Sequence, residues 1–176
     1  MTFIGDWYAD LAILEAYMIT IKYNTGTNRL KKFKIKKSVG GSVTYGYVKL
    51  GYLSPTKNRK YCEQNGLYES TLLTDRPELM DVFTEFRDIY FKDFEFNSIQ
   101  LNYNYKLGPH RDRGNTGESV LVCLGDYTGG LTVVEYENKI IKYDAREMPI
   151  RFDGSKYIHY VEEFFGNRFS LVFYNY

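Results

Sequence analysis

The stretch Pro109-His110-Arg111-Asp112 and one later residue, His159, carry the strongest signal in this chain for a site that two strands bring together. These two histidines are the only ones in 176 residues, and His110 lies two positions before Asp112. Side chains at positions i and i+2 of an extended strand share a face, so His110 and Asp112 are predicted to point the same way. His159, from a distant strand, would complete a set of two imidazoles and one carboxylate. Such a set holds non-haem Fe(II) and leaves three coordination positions open.

Arg168 follows His159 by nine residues and begins a segment that alternates as a strand does up to the C-terminus. An arginine beside a metal site could bind a small dicarboxylate with both prongs of its guanidinium. The alternative is a structural role, in which Arg168 is the buried partner of Asp153 or Glu162. The sequence leaves both interpretations open.

The composition favours strands and a single folded unit. Aromatic residues make up 18% of the chain, with eighteen Tyr and twelve Phe, and such usage is typical of sheets. A length of 176 residues indicates one domain that can bury a sizeable core. Within that domain we expect an N-terminal extension over residues 1–96, with basic strands and a supporting helix. Residues 97–176 are expected to form the core that carries the metal site.

Cysteine usage and hydropathy predict a soluble, intracellular protein in a reducing compartment. Cys62 and Cys123 show no spacing typical of a disulfide scaffold or a metal site. No stretch reaches the roughly 18 apolar residues of a membrane span. The N-terminal stretch carries Asp6, Asp10 and Glu15 where a signal peptide would need a basic end followed by an uncharged apolar run.

Positive charge is concentrated at the start of the chain. Residues 1–60 contain eleven Lys or Arg against three Asp or Glu, although the whole chain has a net charge of only +1. Such asymmetry hints at a polyanionic partner. Lys32, Lys34 and Lys36 share one face of a predicted strand and could contact phosphates. The alternative is an edge strand whose lysines prevent edge-to-edge aggregation.

Hydrophobic periodicity predicts two helices and a series of short strands. The helices are expected over Trp7 to Tyr17 and over a segment that ends at Tyr90, with Asp75 as its N-cap and Pro77 in its first turn. The predicted strands are Met18 to Tyr23, Lys31 to Lys37, a strand pair running through Val43 to Leu53, Ser98 to Tyr105, Ser119 to Leu124, Leu131 to Glu135, Lys139 to Tyr143, Met148 to Phe152, His159 to Glu162 and Arg168 to Tyr174. A turn is expected over Gly125 to Gly130. The predicted class is α+β, mainly β: a double-stranded β-helix, or jelly roll of the cupin kind, with N-terminal strands and one or two supporting helices.

Several motifs together resemble the Fe(II)/2-oxoglutarate dioxygenases. They are Pro109-His110-Arg111-Asp112, Asn115, Gly117, Ser119 to Leu124, Phe152-Asp153-Gly154, His159 and Gly166 to Phe173. Within that superfamily, the run P-H-R-D-x-x-N followed by G-x-S-V-x-V-C-L most resembles the TET/J-binding-protein group of nucleic-acid methyl oxidases and its small viral and algal relatives. The resemblance covers about residues 97–176. The chain lacks the cysteine-rich DNA-binding extension of animal TET enzymes.

The resemblance implies a role for each matching residue. His110, Asp112 and His159 match the iron ligands and would be the catalytic centre, and Arg168 matches the arginine that binds 2-oxoglutarate. Further contacts with 2-oxoglutarate are expected from Ser170, Asn102, Tyr103 and Tyr105. Asn115 and Arg111 are expected to contact the substrate. For Asn115 the alternative is a structural role as the cap of the turn after the H-x-D pair.

The implied function is hydroxylation of a C–H bond, with Fe(II) and 2-oxoglutarate as cofactors, O₂ as cosubstrate, ascorbate as a candidate reductant, and release of succinate and CO₂. The expected substrate is the methyl group of a 5-methylpyrimidine, or a related base, in nucleic acid. An alternative is a 2-oxoglutarate-dependent hydroxylase of a prolyl or lysyl side chain or of a small molecule. A more remote alternative is a non-catalytic cupin-like binding module.

Overall fold

The fold is described from a computed structural model, which covers residues 2–24, 46–53 and 68–176. The predicted strand Lys31 to Lys37 lies outside the described residues, as does the start of the strand pair predicted through Val43 to Leu53. From Gly46 to Leu53 the chain forms one strand instead of a pair.

The first helix, α1 (Trp7–Met18), begins where the sequence predicted. Asp6 caps it, because its carboxylate accepts a hydrogen bond from the backbone N–H of Ala9 at 2.9 Å. The predicted strand Met18 to Tyr23 is wrong. Met18 ends the helix, and the chain continues in turns because the Ile21 N–H donates to the Met18 carbonyl at 3.2 Å.

Two more helices follow, the short α2 (Thr71–Asp75) and the longer α3 (Glu78–Tyr90). The prediction of Asp75 as the N-cap of the long helix is wrong. The Ser70 hydroxyl accepts from the Leu73 N–H and starts α2, so Asp75 is the last residue of that helix, and Pro77 takes the cap position of α3. No helix among the described residues is long and apolar enough to cross a membrane.

Strands make up most of the described structure. In chain order they are β1 (Gly46–Leu53), β2 (Tyr68–Glu69), β3 (Ser98–Tyr103), β4 (Ser119–Leu124), β5 (Tyr127–Gly129), β6 (Thr132–Tyr136), β7 (Lys139–Tyr143), β8 (Ile150–Phe152), β9 (Ile158–Val161), β10 (Phe164–Gly166) and β11 (Phe169–Tyr174). They form a six-stranded sheet in the order β2-β1-β3-β11-β4-β8, a three-stranded sheet in the order β7-β6-β9, and the pair β10-β5. Every pairing between these strands is antiparallel.

The six-stranded sheet has two different faces. One packs against the helices in the main hydrophobic core, and the other faces the three-stranded sheet. Because side chains alternate along a strand, Ile99 and Leu101 of β3 face the helices, where they pack with Phe83 of α3. Asn102 of β3 and Ser170 of β11 point to the opposite face, toward the three-stranded sheet. The sheet thus buries one apolar face under the helices and turns polar side chains inward.

This arrangement of facing antiparallel sheets is a jelly roll, as the sequence predicted. The strands in the second half of the chain were located to within about two residues, but β2, β5 and β10 were not predicted. The segment predicted as a turn contains β5, which pairs with β10. Gly166 of β10 has a φ of +108°, and a Cβ there would lie 2.4 Å from the Asp126 carbonyl oxygen, so only glycine fits this pairing.

Candidate metal centre

Backbone pairing brings the two halves of the predicted metal site together. His110 follows β3, His159 lies in β9, and their backbones form a reciprocal pair, with N···O distances of 3.1 and 3.0 Å. The Asp112 N–H donates to the Gly154 carbonyl at 2.8 Å. As a result the ligand atoms of His110, Asp112 and His159 lie within 4.8 Å of one another.

Both imidazoles are oriented by backbone carbonyls. Nδ1 of His110 lies 2.7 Å from the Gly108 carbonyl oxygen, and Nδ1 of His159 lies 3.1 Å from that of Tyr157. Because a carbonyl only accepts, Nδ1 carries the proton in the neutral ring and Nε2 keeps its lone pair. The Nε2 atoms of His110 and His159 lie 3.5 and 3.6 Å from the Asp112 carboxylate. The three donors therefore converge on one point, as metal ligands do.

The electrostatics of the cluster favour the protonation states that bind a divalent cation. Burial raises the pKa of Asp112, but its contact with His110 and the nearby His159 and Lys49 outweigh burial and hold that pKa below its usual value. Burial, with His110 next in importance, lowers the pKa of His159. At neutral pH the carboxylate is therefore ionised and the His159 imidazole is neutral.

Two neighbours hold the Asp112 carboxylate in place. The Asn115 side-chain amide donates to Asp112 Oδ2 at 3.3 Å and to the Ser119 hydroxyl at 3.4 Å. Asn115 thus contacts a predicted metal ligand, a role that the sequence prediction of a substrate contact or a turn cap did not include. Gly154 leaves room for the same carboxylate, since a Cβ there would lie 2.8 Å from Asp112 Oδ2.

The cluster opens into a cavity of about 510 Å³ between the two larger sheets. Predicted site residues that line it are Asn102, Tyr105, His110, Arg111, Asp112, Asn115, His159, Arg168 and Ser170. Residues that line it but were not predicted include Lys49, Gln100, Arg113, Thr132, Tyr160, Tyr174 and Tyr176. Sequence reasoning missed them because no motif marks them and because β1 and β6 had not been assigned to the wall of the site.

Arg168 is the most unusual group in this cavity. Its side chain is 2% exposed, one guanidinium nitrogen donates to the Cys123 thiol sulfur at 3.0 Å, and Nε has no partner. The rings of Tyr127 and Phe164 lie 5.5 and 5.6 Å from the guanidinium carbon. No carboxylate among the described residues forms an ion pair with it. Asp144 lies near enough for Arg168 to help lower its pKa, but not within ion-pair distance. A buried cation without a direct ion pair is costly, and a bound anion would offset that cost.

The structural alternatives for Arg168 do not hold in this structure. Glu162 pairs with Lys142 at 2.5 Å, and Asp153 accepts hydrogen bonds from the hydroxyl and backbone N–H of Ser155. The cavity also holds a second buried polar atom without a partner, the hydroxyl oxygen of Thr132, which is 3% exposed. Both unsatisfied groups line the same cavity as His110, Asp112 and His159.

Of the remaining residues predicted to contact 2-oxoglutarate, three line the cavity and one does not. The Asn102 amide donates to the Ser170 hydroxyl at 3.1 Å, and Asn102, Ser170 and Tyr105 line the cavity. The prediction for Tyr103 is not supported by its position, because its side chain lies on the other face of β3. There its ring stacks on Phe169, with ring centroids 4.6 Å apart.

Comparison with known proteins supports the fold. No protein-family model matches the sequence, and no curated protein matches it either. Among solved structures, an oxidoreductase of the 2OG-Fe(II) oxygenase family from Burkholderia pseudomallei is similar to this chain with a TM-score of 0.58 and 18% identity, over 93% of this chain and 77% of that one. A Pseudomonas putida prolyl-4-hydroxylase is similar with a TM-score of 0.53 and 12% identity, over 98% and 87% of the two chains.

A third similar structure is NgTET1 in complex with 5mC DNA. Its TM-score is 0.50 at 16% identity, and the match covers 85% of this chain and 66% of that one. The structural neighbours are thus 2OG-Fe(II) oxygenases. At such low identities the likeness establishes the jelly-roll fold.

Proposed function

We propose that this chain is an Fe(II)- and 2-oxoglutarate-dependent dioxygenase that hydroxylates a C–H bond. The observation that carries the proposal is one cavity with two complementary features. Convergent donors of His110, Asp112 and His159 lie in its wall, and so does the buried guanidinium of Arg168, which has no ion-pair partner among the described residues. A divalent cation and a small dicarboxylate are the two ligands that these groups fit.

The residues present fit an iron ion by their chemistry. Two imidazoles and one carboxylate with open positions are the donor set typical of non-haem Fe(II) oxygenases. The absence of a Cβ at Gly154 and the hydrogen bond from Asn115 keep the Asp112 carboxylate where it meets both imidazoles. When bound, Fe(II) would supply activation of O₂, coupled to the oxidative decarboxylation of 2-oxoglutarate to succinate and CO₂.

The chain's own residues would bind and orient the organic cosubstrate. Arg168 would donate two parallel hydrogen bonds to its distal carboxylate, and the unsatisfied Thr132 hydroxyl would donate a further one. Asn102 and Ser170 already bond to each other and would present a polar wall to the rest of the molecule. Burial of these groups excludes water, which strengthens each charged contact in the cavity.

The substrate that we propose is a methylated or related base in nucleic acid, such as a 5-methylpyrimidine. Support comes from the P-H-R-D-x-x-N run, from the excess of Lys and Arg in residues 1–60, and from the likeness to NgTET1, which was solved with 5mC DNA. A base inside a duplex cannot reach a cavity in a protein. The target would therefore be single-stranded or flipped out of the stack.

A second candidate is hydroxylation of a prolyl or lysyl side chain. The likeness to the Pseudomonas putida prolyl-4-hydroxylase favours it, since that match covers 98% of this chain. The same cluster and the same Arg168 would serve, because the chemistry at the metal is shared. The two candidates differ only in what the cavity mouth binds.

The direct test is succinate release from the purified chain with Fe(II), 2-oxoglutarate, O₂ and ascorbate. Substrates are panels of methylated DNA, methylated RNA, free nucleosides, and prolyl or lysyl peptides. We expect release that depends on Fe(II), that is stimulated by a methylated oligonucleotide, and that is lost in His159→Ala. Full activity of that variant would eliminate the proposed metal site, and stimulation by peptides alone would favour the second candidate.

A further inference from the structure

The cavity lining carries an excess of positive charge. Besides Arg168, it contains the cationic side chains Lys49, Arg111 and Arg113. Asp112 supplies the only carboxylate among the described residues of the lining, and it is one of the proposed metal ligands. A divalent ion at that site would add to the positive charge, so the cavity favours a substrate that brings negative charge with it.

None of these cations has a carboxylate partner within the described parts of the chain. Elsewhere most described cations do; those in ion pairs are Arg76, Arg87, Lys106, Lys142, Arg146, Arg151 and Lys156. Arg168 is accounted for by the dicarboxylate. Lys49, Arg111 and Arg113 remain as three cations without an assigned anion.

Lys49 is fixed at the cavity wall by aromatic side chains. Its ammonium group donates to the Tyr176 hydroxyl and lies 5.0 Å from the centre of the Tyr176 ring and 5.5 Å from that of Tyr174. It is also close enough to Asp112 to help lower the pKa of that carboxyl. The lysine therefore lies half-buried beside Asp112, and its ammonium group contacts two aromatic rings and one hydroxyl, with no carboxylate within ion-pair distance among the described residues.

The loop that carries Arg111 and Arg113 joins this wall directly. The Thr116 N–H donates to the Asn175 carbonyl at 2.8 Å, and a Cβ at Gly114 would lie 3.3 Å from the Tyr176 ring. Both arginines are exposed at the mouth of the cavity. Lys49 and the two arginines thus belong to one continuous surface, which we call the cationic rim.

We propose that the cationic rim binds a phosphate group of a nucleotide substrate and so anchors the target base over the metal ligands. This inference rests on the proposed dioxygenase function and names the chemistry that its cavity mouth recognises. A phosphate matches the planar fork of an arginine and the point charge of a lysine. The partly exposed rings of Tyr160 and Tyr176 in the same lining suit a flat base, because cations interleaved with aromatic rings are typical of single-strand binding.

An acidic peptide is the competing partner, and the rim fits it less well. A single carboxylate needs one cation, whereas three separate cations suit the repeated charges of a phosphodiester chain. A peptide substrate also gives no role to the tyrosines around Lys49. We therefore assign the rim to phosphate and use an acidic peptide as the contrasting probe.

The test measures binding without turnover, on the full chain loaded with Mn(II) and 2-oxoglutarate. A fluorescent single-stranded DNA oligonucleotide that contains 5-methylcytosine is titrated by anisotropy at several salt concentrations. We expect Lys49→Gln to weaken binding about tenfold, since a charged hydrogen bond is lost, and the salt slope to become shallower by about 0.7. The double variant Arg111→Gln/Arg113→Gln should reduce the slope by about 0.7 for each lost contact.

The matched control is Lys139→Gln. Lys139 also lies over a tyrosine ring, 5.8 Å from the centre of Tyr136, and has no ion-pair partner within the described residues, but it does not line the cavity. Its substitution should leave affinity and salt slope unchanged. If Lys49→Gln does not fold, the double variant of the exposed arginines carries the test.

Competition identifies the source of the phosphate. An unlabelled oligonucleotide that competes far better than a mononucleotide supports the proposal with a polymer as substrate, and equal competition supports it with a free nucleotide. Stronger competition by a peptide rich in Asp and Glu overturns it. Oligonucleotide binding that is absent in the parent, or unchanged in both rim variants, overturns it as well. These failures leave the proposed dioxygenase function intact, whereas a parent chain that binds neither Mn(II) nor 2-oxoglutarate refutes both.

Discussion

At the scale of the residue, Arg168 shows how the cavity is prepared for a ligand. A guanidinium that is 2% exposed cannot be solvated by bulk water, and the two aromatic rings and one thiol around it provide only part of what it loses. The chain therefore tolerates an unfavourable group where an anion would relieve it. On the facing three-stranded sheet, the buried Thr132 hydroxyl is likewise a polar group without a hydrogen-bond partner.

Replacement of Arg168 by lysine should weaken 2-oxoglutarate binding about tenfold or more, although the charge is kept. An ammonium group cannot provide the planar pair of donors that a carboxylate accepts. Calorimetry with Mn(II)-loaded protein measures the affinity, and Arg151→Lys, which changes an arginine paired with Asp93 outside the cavity, is the control. An unchanged affinity would mean that another cation holds the dicarboxylate.

Gly154→Ala should lower the affinity for Mn(II) or Fe(II) by about 10- to 100-fold, because the added methyl group would displace the Asp112 carboxylate. Metal affinity is measured by competition with a fluorescent chelator. Gly114→Ala adds the same methyl group to the same cavity but meets only the edge of the Tyr176 ring, so it should bind metal as the parent does. Equal metal affinity in both variants would show that Asp112 is not a ligand.

The proximity of His110, Asp112 and His159 could be predicted from the sequence. Two histidines in the whole chain, one of them two residues from an aspartate, leave few alternatives. Lys49 and Thr132 could not be predicted, since each reaches the cavity only through the pairing of distant strands. Tyr103 was predicted to contact 2-oxoglutarate together with its neighbour Asn102, but side chains alternate along β3, so only one of the two can line the cavity.

At the scale of the element, a buried carboxylate connects the helices α1 and α3 through a hydrogen bond. Asp10 of α1 accepts hydrogen bonds from the Ile4 and Gly5 N–H groups at 2.9 Å and from the Tyr90 hydroxyl of α3 at 2.6 Å. Burial raises the pKa of Asp10, but these hydrogen bonds outweigh it and lower the pKa below its usual value. One side chain thus joins the N-terminal segment, α1 and α3.

Asp10→Ala should lower the free energy of unfolding by about 2 to 4 kcal/mol, because three donors lose their charged acceptor. Since folding lowers this pKa, the stabilisation is fully present above about pH 4 and is lost as the pH falls below it. Urea unfolding at several pH values measures both effects. Asp88→Ala, which removes an exposed partner of Arg87, should cost less than about 1 kcal/mol. Equal losses in the two variants would contradict the role of Asp10.

Long elements with a clear hydrophobic pattern were the ones that could be predicted. The apolar positions of α3 recur at helical spacing, whereas β4 and β11 are nearly continuous apolar runs, and each was located from sequence alone. The strands β5 and β10 have three residues each, which is too few to show a period. Their conformation depends on pairing with each other and on glycines at positive φ. The Gly-rich composition of residues 125–130 therefore predicted a turn where the structure has β5.

At the scale of the whole molecule, the predicted N-terminal extension contributes to the same core as the half that carries His110, Asp112 and His159. β1 pairs along its length with β3, and Leu14 of α1, Leu50 of β1 and Phe83 of α3 are fully buried beside Leu101 and Phe173. Lys49, on β1, lines the cavity. The first half thus supplies both the cover of the sheet and one wall of the site.

The last prediction is that residues 97–176 do not fold alone. Without α1, β1 and α3, the apolar face of the four strands that remain of that sheet, β3, β11, β4 and β8, is exposed. Each large buried side chain lost from such a core costs about 2 to 5 kcal/mol. Several such losses exceed the roughly 5 to 15 kcal/mol that stabilises a typical domain. We expect the fragment to show no cooperative urea transition and poorly dispersed NMR resonances, with or without Mn(II) and 2-oxoglutarate, whereas the full chain shows both features of a folded protein. A cooperative transition in the fragment would establish residues 97–176 as an independent domain whose folding does not require the N-terminal half.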